Sequence, residues 1–335
     1  MTKEDLLRRA YGALIGAAVG DAMGAPVEGR SAAQIRERYG RVTGFVSETS
    51  SGTDDTDFTL FNAYLLATYG AGITLEQVEA EWRDKLLGPG RAYRPGGFSD
   101  VISTRNLTAG LRAPLSGAFN HQMWSDGVAM AIGAAGIVAA GQPQLAARLA
   151  VTLGSVSNAR DGIAAAQAVA AAISVAMVGA SPSEMLAAGV DAVPRDSWTG
   201  RVLRRVTSVG SGPGFAAGAE DLDVALERLG QEVVVGWWPW ADLAPEAVGL
   251  AFGALAATGG EFRRTVPAAI SLGRDADTIG AMAGAMAGAR GGRDAIPDDW
   301  AKRATLSPGK CIGFVASLDI EALAAQLLAQ AEVAA

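Results

Sequence analysis

Hydrophobic positions along the chain recur mainly at three- and four-residue spacing, the period of a helix with one buried face. Phe58, Phe61, Tyr64 and Leu65 form one such run, and Ile279, Met282, Ala283 and Met286 form another. The pattern predicts helices over 4–20, 32–39, 56–69, 75–86, 100–110, 127–140, 143–153, 160–179, 183–191, 198–208, 220–229, 244–258, 261–270, 278–290 and 318–332. Ser181-Pro182-Ser183-Glu184 and Asp242-Leu243-Ala244-Pro245 read as helix starts. Strand signals are scarce, with 41–46 and 232–235 the best candidates. Gly280, Gly284 and Gly288 lie along one helix face, where small residues let backbones approach closely. No fixed-period repeat, linker or charge run divides the chain. The expectation is an all-α, compact multi-helix globule forming a single domain over 1–335.

Two acidic phrases interrupt this pattern. Thr53-Asp54-Asp55-Thr56 and Asp275-Ala276-Asp277-Thr278 each close a glycine-bearing loop and open a helical run. Asp and Thr oxygens accept from the free N–H groups of a helix start. Capping accounts for one acid per helix, not for two. Brought together, four carboxylates would repel one another unless cations were present. Oxygen-only ligands favour Mg2+, Mn2+ or Ca2+ over zinc or copper. Four acids balance two divalent ions better than one. Two ions about 3.5–4 Å apart can hold a bridging water and polarise a substrate oxygen. Asp-x-Asp also serves phosphoryl transfer, where it follows a buried strand; here it follows the helix-like run 262–270. Upstream, Asp21 ends the first helix in a glycine turn and could support the site, and Glu28 could be a ligand or general base on a loop.

Composition narrows the chemistry. A net charge of −7 and a pI near 4.9 argue against a general nucleic-acid binder. One cysteine, Cys311, and one histidine, His121, exclude a disulfide framework and ordinary Cys/His zinc sites. Cys311 reads as a small buried hydrophobe and His121 as a loop residue. The first ten residues lack a signal-peptide core, and the apolar stretch 162–180 is alanine-rich with Gln167 and Ser174, better read as a core helix than as a membrane span. A cytoplasmic protein is expected.

The stretch 88–100 carries Pro89, Gly90, Pro95, Gly96 and Gly97, the profile of a lid or binding loop or of a plain surface excursion. Its last residues, Gly97 and Phe98, are candidate substrate contacts. Trp237-Trp238-Pro239-Trp240 could stack on a ligand base, although core or interface packing is the favoured reading.

Three ordered motifs carry a family resemblance. Gly20-Asp21-Ala22-Met23-Gly24-Ala25-Pro26-Val27-Glu28, Thr53-Asp54-Asp55-Thr56 and Gly273-Arg274-Asp275-Ala276-Asp277-Thr278-Ile279-Gly280 resemble those of the ADP-ribosylglycohydrolases, the family that includes the dinitrogenase reductase-activating glycohydrolases. The resemblance spans about 10–300. It implies an all-α fold holding two Mg2+ or Mn2+ ions, with Thr53, Asp54, Asp55, Asp275, Asp277 and Thr278 as ligands. Glu28 falls where part of the family places a catalytic or metal-linked glutamate. The run from Ser125 through Asp126 and Gly127 to Met130 occupies the place of its substrate loop. Three departures stand out. Asp126 replaces an asparagine and Ala131 an arginine; 155–160 lacks a common histidine; Arg274 replaces a common glycine.

The reading that results is a binuclear-metal hydrolase cleaving an N- or O-glycosidic bond at the anomeric carbon of an ADP-ribosyl or related ribosyl group, with Glu28 or Asp55 taking the proton. A non-catalytic metal- or nucleotide-binding protein and a metal phosphohydrolase are the alternatives. Neither a nucleic-acid partner nor a membrane is expected.

Overall fold

The computed structural model describes residues 1–210, 222–305 and 309–331. Seventeen α-helices run through them. The first half holds α1 (Lys3–Gly24), α2 (Ala32–Tyr39), α3 (Asp54–Tyr69), α4 (Leu75–Lys85), α5 (Phe98–Thr108), α6 (Leu115–Ala118), α7 (Gly133–Val138), α8 (Pro143–Gly154) and α9 (Asp161–Met177). The second holds α10 (Pro182–Asp191), α11 (Trp198–Gly210), α12 (Leu222–Val233), α13 (Ala244–Ala257), α14 (Phe262–Ser271), α15 (Ala276–Gly291), α16 (Asp298–Ala304) and α17 (Ile320–Ala329). The all-α expectation holds, and α14 confirms that a helix precedes Asp275.

Both strand expectations fail. Among the described residues, pairing is limited to isolated bridges such as Ser31–Gly273 and Ser125–Leu243. Residues 232–233 complete α12. In 41–46 the alternation has a tertiary cause: Val42 is buried, and Phe45 packs edge-on against Trp300 beneath the Arg303 guanidinium. The predicted helix 127–140 shrinks to α7, because turns occupy the residues after Gly127. The predicted starts of 220–229 and end of 318–332 lie outside the described residues.

The centre is the antiparallel pair α1 and α15. A Cβ added to Gly12, Gly16 or Gly20 would overlap the carbonyl of Gly288, Gly284 or Gly280 in turn. Four-residue glycine spacing on both helices thus lets backbone touch backbone along three successive turns. Around this pair pack α3, α14, α16 and α17. A second layer forms where α9 packs on α7, α8, α10 and α13. Its alanine-rich face is buried among them, as a core helix requires. No helix among the described residues is long and apolar enough to cross a membrane.

The glycine register decides where the acids go. A Cβ on Gly24 would strike the backbone of Ala276 and Asp277, so α1 delivers its C-terminal end onto the start of α15. Contrary to the expected glycine turn, α1 continues through Asp21 to Gly24, and a 3-10 turn at Ala25–Val27 then leads to Glu28.

Candidate active site

The Glu28 loop is fastened to the second acidic phrase by backbone hydrogen bonds. Gly29 donates to the Arg274 carbonyl and Arg274 to the Arg30 carbonyl, both at 2.8 Å. Glu28, Asp275 and Asp277 consequently each offer a carboxylate oxygen within 4.8 Å of the others. The first phrase enters through α3. Thr53 is its N-cap, its hydroxyl accepting from the Asp55 N–H at 3.3 Å. Thr278, on α15, donates to Asp55 Oδ1 at 3.4 Å and so joins the two phrases.

The acids themselves do not cap. Asp275 stands at the N-cap of α15 but makes no capping hydrogen bond. Asp55 Oδ2 and Asp277 Oδ1 are buried with no hydrogen-bond partner. Buried oxygens of this kind carry a desolvation cost that only a cation or proton relieves. Burial, then repulsion by acidic neighbours, pushes Asp55, Asp275 and Asp277 well above the ordinary carboxylate range. Burial and the neighbouring Asp100 and Asp21 raise Asp54 to about 7. Glu28 keeps an exposed edge, yet enough protein surrounds its carboxyl to raise it as well. Hard, anionic, under-partnered oxygens fit divalent cations.

Asp21 supports this set from behind. Fully buried, it accepts from the N–H groups of Thr53 and Thr56 and from the Thr56 hydroxyl. Asp54, with Asp21 and Glu28 among its charged neighbours, also lies against Gly96, where a Cβ would collide with its carboxylate. There Gly97 and Gly127 line one narrow cavity of about 30 Å3 with Asp54, Phe58, Ser99 and Ser157. Any Cβ on Gly127 would crowd the Ser99 hydroxyl. Phe98 lies outside this cavity with 54% of its surface exposed.

The loop 88–100 is tied down. Tyr93 bridges to Ile312, the Arg94 N–H donates to the Cys311 carbonyl while the Cys311 thiol donates to the Arg94 carbonyl, and Asp100 gathers the N–H groups of Gly96 and Gly97 and the Tyr93 hydroxyl. Asp57 anchors the partner strand of chain by accepting from Gly309, Cys311 and Ile312.

Two participants lay beyond sequence reasoning. Asp242 looked like a helix start; in fact Leu243 precedes α13 without a side-chain cap, and Asp242 Oδ1 is buried and unpartnered. Its carbonyl accepts from the Asp126 N–H at 3.2 Å, which sets Asp242 beside Asp126, whose Oδ2 is likewise buried and unpartnered. Asn158 holds this loop, donating to the carbonyls of Met123 and Ser125. Neither carries a local sequence signal, since both act through residues distant in the chain.

This arrangement can be set beside known proteins. A profile of the ADP-ribosylglycohydrolase family matches residues 2–334. The chain belongs to the ADP-ribosylglycohydrolase family. It is 29% identical over 301 residues to a protein of Archaeoglobus fulgidus described as uncharacterized, covering 86% of this chain and 88% of that one. A solved structure described as an ADP-ribosylglycohydrolase-related protein complex superposes with a TM-score of 0.62 at 23% identity, over 98% of this chain and 99% of the other. At that identity the likeness shows the fold alone. Within the family fold, the glycine pair α1–α15 is what aligns Glu28 with Asp277 in this member.

Proposed function

We propose that this family member is a binuclear-metal-dependent hydrolase that cleaves an N- or O-glycosidic bond at the anomeric carbon of an ADP-ribosyl or related ribosyl group. The observation that carries the reading is the convergence of Glu28, Asp275 and Asp277, joined to Asp55 through Thr278, with buried carboxylate oxygens left unpartnered. Thr53, Asp54, Asp55, Asp275, Asp277 and Thr278 would hold two Mg2+ or Mn2+ ions. When bound, such ions would neutralise the carboxylates and polarise a ribose hydroxyl or a water.

The remaining steps fall to the chain. Gly127 and Gly97, which line the cavity beside Asp54, would contact the sugar, and Asp126 next to Gly127 would offer it a buried, unpartnered carboxyl. Water attacks the anomeric carbon, and Glu28 or Asp55 takes its proton. The bonding pair leaves with the nitrogen or oxygen of the leaving group, which receives that proton. Positive charge develops on the sugar as the bond breaks, next to a strongly acidic surface.

The test is Mn2+-dependent release of ADP-ribose or ribose from a panel of ADP-ribosylated protein, N- and O-linked ADP-ribosyl compounds and simple ribosides. Asp55→Ala should abolish it, and Glu28→Gln should lower kcat by about 100-fold or more. Inorganic phosphate as the sole product, or ligand affinity without turnover across the panel, would overturn the proposal.

A further inference from the structure

Arg274 sits between the glycine loop and the metal phrase with φ at +62°, a left-handed conformation that glycine adopts freely and arginine rarely does. Its side chain turns away from the carboxylates that follow it. Nε donates to Glu246 Oε1 at 2.6 Å, and Glu246 has no exposed side-chain surface. Nη2 donates to the carbonyls of Trp240 at 2.8 Å and Trp238 at 3.3 Å. The other oxygen of Glu246 accepts from the Val235 N–H at 2.6 Å. One guanidinium and one buried carboxylate therefore fasten both ends of the segment 235–240. That segment carries the indoles of Trp238 and Trp240, which with Trp124 stack edge to face at 5.2–5.5 Å and run straight on to Asp242 and Asp126.

We propose that Arg274 is a positioning residue: through Glu246 and the Trp238 and Trp240 carbonyls it holds the tryptophan segment as a fixed wall beside the acidic site. A planar fork is the donor this geometry needs, since Lys offers no fixed pair of directions. The wall's contact with a ligand rests on the function proposed above; the clamp does not.

The test uses wild type, Arg274→Gly and Arg274→Lys, read first by near-ultraviolet circular dichroism of the tryptophan cluster. Glycine accepts the local backbone, so Arg274→Gly should fold, keep Mn2+ affinity within about threefold and lose most of the coupled indole signal. Arg274→Lys should retain part of it, and carries the test alone if the glycine variant does not fold. Wild-type indole signal in both variants would overturn the clamp. ADP-ribose is then titrated by tryptophan fluorescence. The glycine variant should bind at least about tenfold more weakly than wild type, as loss of charge-assisted positioning predicts. No response in wild type, with the indole signals still differing between variants, would count against the ADP-ribosyl reading and uphold the clamp.

Discussion

Asp21 of α1 caps helix α3 at Thr56, its Oδ2 accepting from the Thr56 N–H at 3.0 Å and from the Thr56 hydroxyl, and from the Thr53 N–H at 2.8 Å. One helix thus supplies the N-terminal acceptor of another, and α3 begins where α1 allows it to. That fixes how Asp54 and Asp55 are presented. Asp21→Asn would turn an NH2 group toward these donors. It is expected to cost about 2–3 kcal/mol in denaturant unfolding and to weaken Mn2+ binding at least about tenfold by calorimetry. Unchanged Mn2+ affinity would separate Asp21 from the site.

The raised carboxyls make stability depend on pH in a definite direction. Asp21 is held at about 6 and Asp54 at about 7 by burial, against about 4 in an unfolded chain. Between roughly pH 4 and 7 the folded chain therefore binds more protons than the unfolded one, and stability falls as pH rises through that window. With chelator present, the melting temperature should be lower at pH 7.5 than at pH 5. Mn2+ should raise it more at pH 7.5, where Asp54, held at about 7, is largely deprotonated and fewer protons have to leave on binding. Equal melting at both pH values with chelator would sink this account.

Stability and metal binding should part company at Asp277. Its buried Oδ1 has no partner, and Asp275 is among its charged neighbours. With chelator at pH 7.5, Asp277→Asn should melt higher than wild type, by the equivalent of about 1 kcal/mol, because the amide replaces an acid whose ionised form is buried without a partner among other acids. It should also lose the stabilisation that Mn2+ gives the wild type. A variant that melts lower and still responds fully to Mn2+ would make this carboxylate structural.

The α1–α15 contact offers no slack at Gly20, where an added methyl meets only backbone atoms of Gly280 and Ala281. Gly20→Ala should cost about 1–3 kcal/mol by overpacking. Since the same register aligns Glu28 with Asp277, Mn2+ affinity should fall with it. Gly230→Ala, on the open side of α12, serves as the control and should be neutral or slightly stabilising. Matching melts for the two variants would show that the helices can move apart without loss.

Most helices and both acidic phrases were legible in the sequence, because helical period, caps and unusual acid density are local signals. The failures share a cause. The 41–46 alternation reflected Phe45 and Val42 docking on Trp300 and the core, not strand pairing. The Asp242 phrase does open a helix, with Pro245 in its first turn, but Asp242 is not the cap: its carbonyl accepts from the Asp126 N–H, more than a hundred residues away. The tryptophans were read as core or interface; Trp237 and Trp240, 79% and 49% exposed, are not core, and a guanidinium on another loop holds the Trp238 and Trp240 carbonyls. The 88–100 loop was read as a lid or binding loop or as a plain surface excursion; that Asp100 and the 309–313 chain fasten it could not be read from its composition.

By itself, the sequence determined that the chain is helical, that two acidic phrases open two of its helices, and that glycines mark one helix face for close contact. Those properties depend on neighbours within a turn or two. The tertiary structure decided the partners: glycine faces at opposite ends of the chain bring α1 onto α15 in one register, and that register places Glu28 beside Asp275 and Asp277. It also assigned Asp21 to α3 and Arg274 to the tryptophan segment. Backbone contact and buried charge act over a few ångströms of space, whatever the separation in sequence, so only the folded chain could specify them.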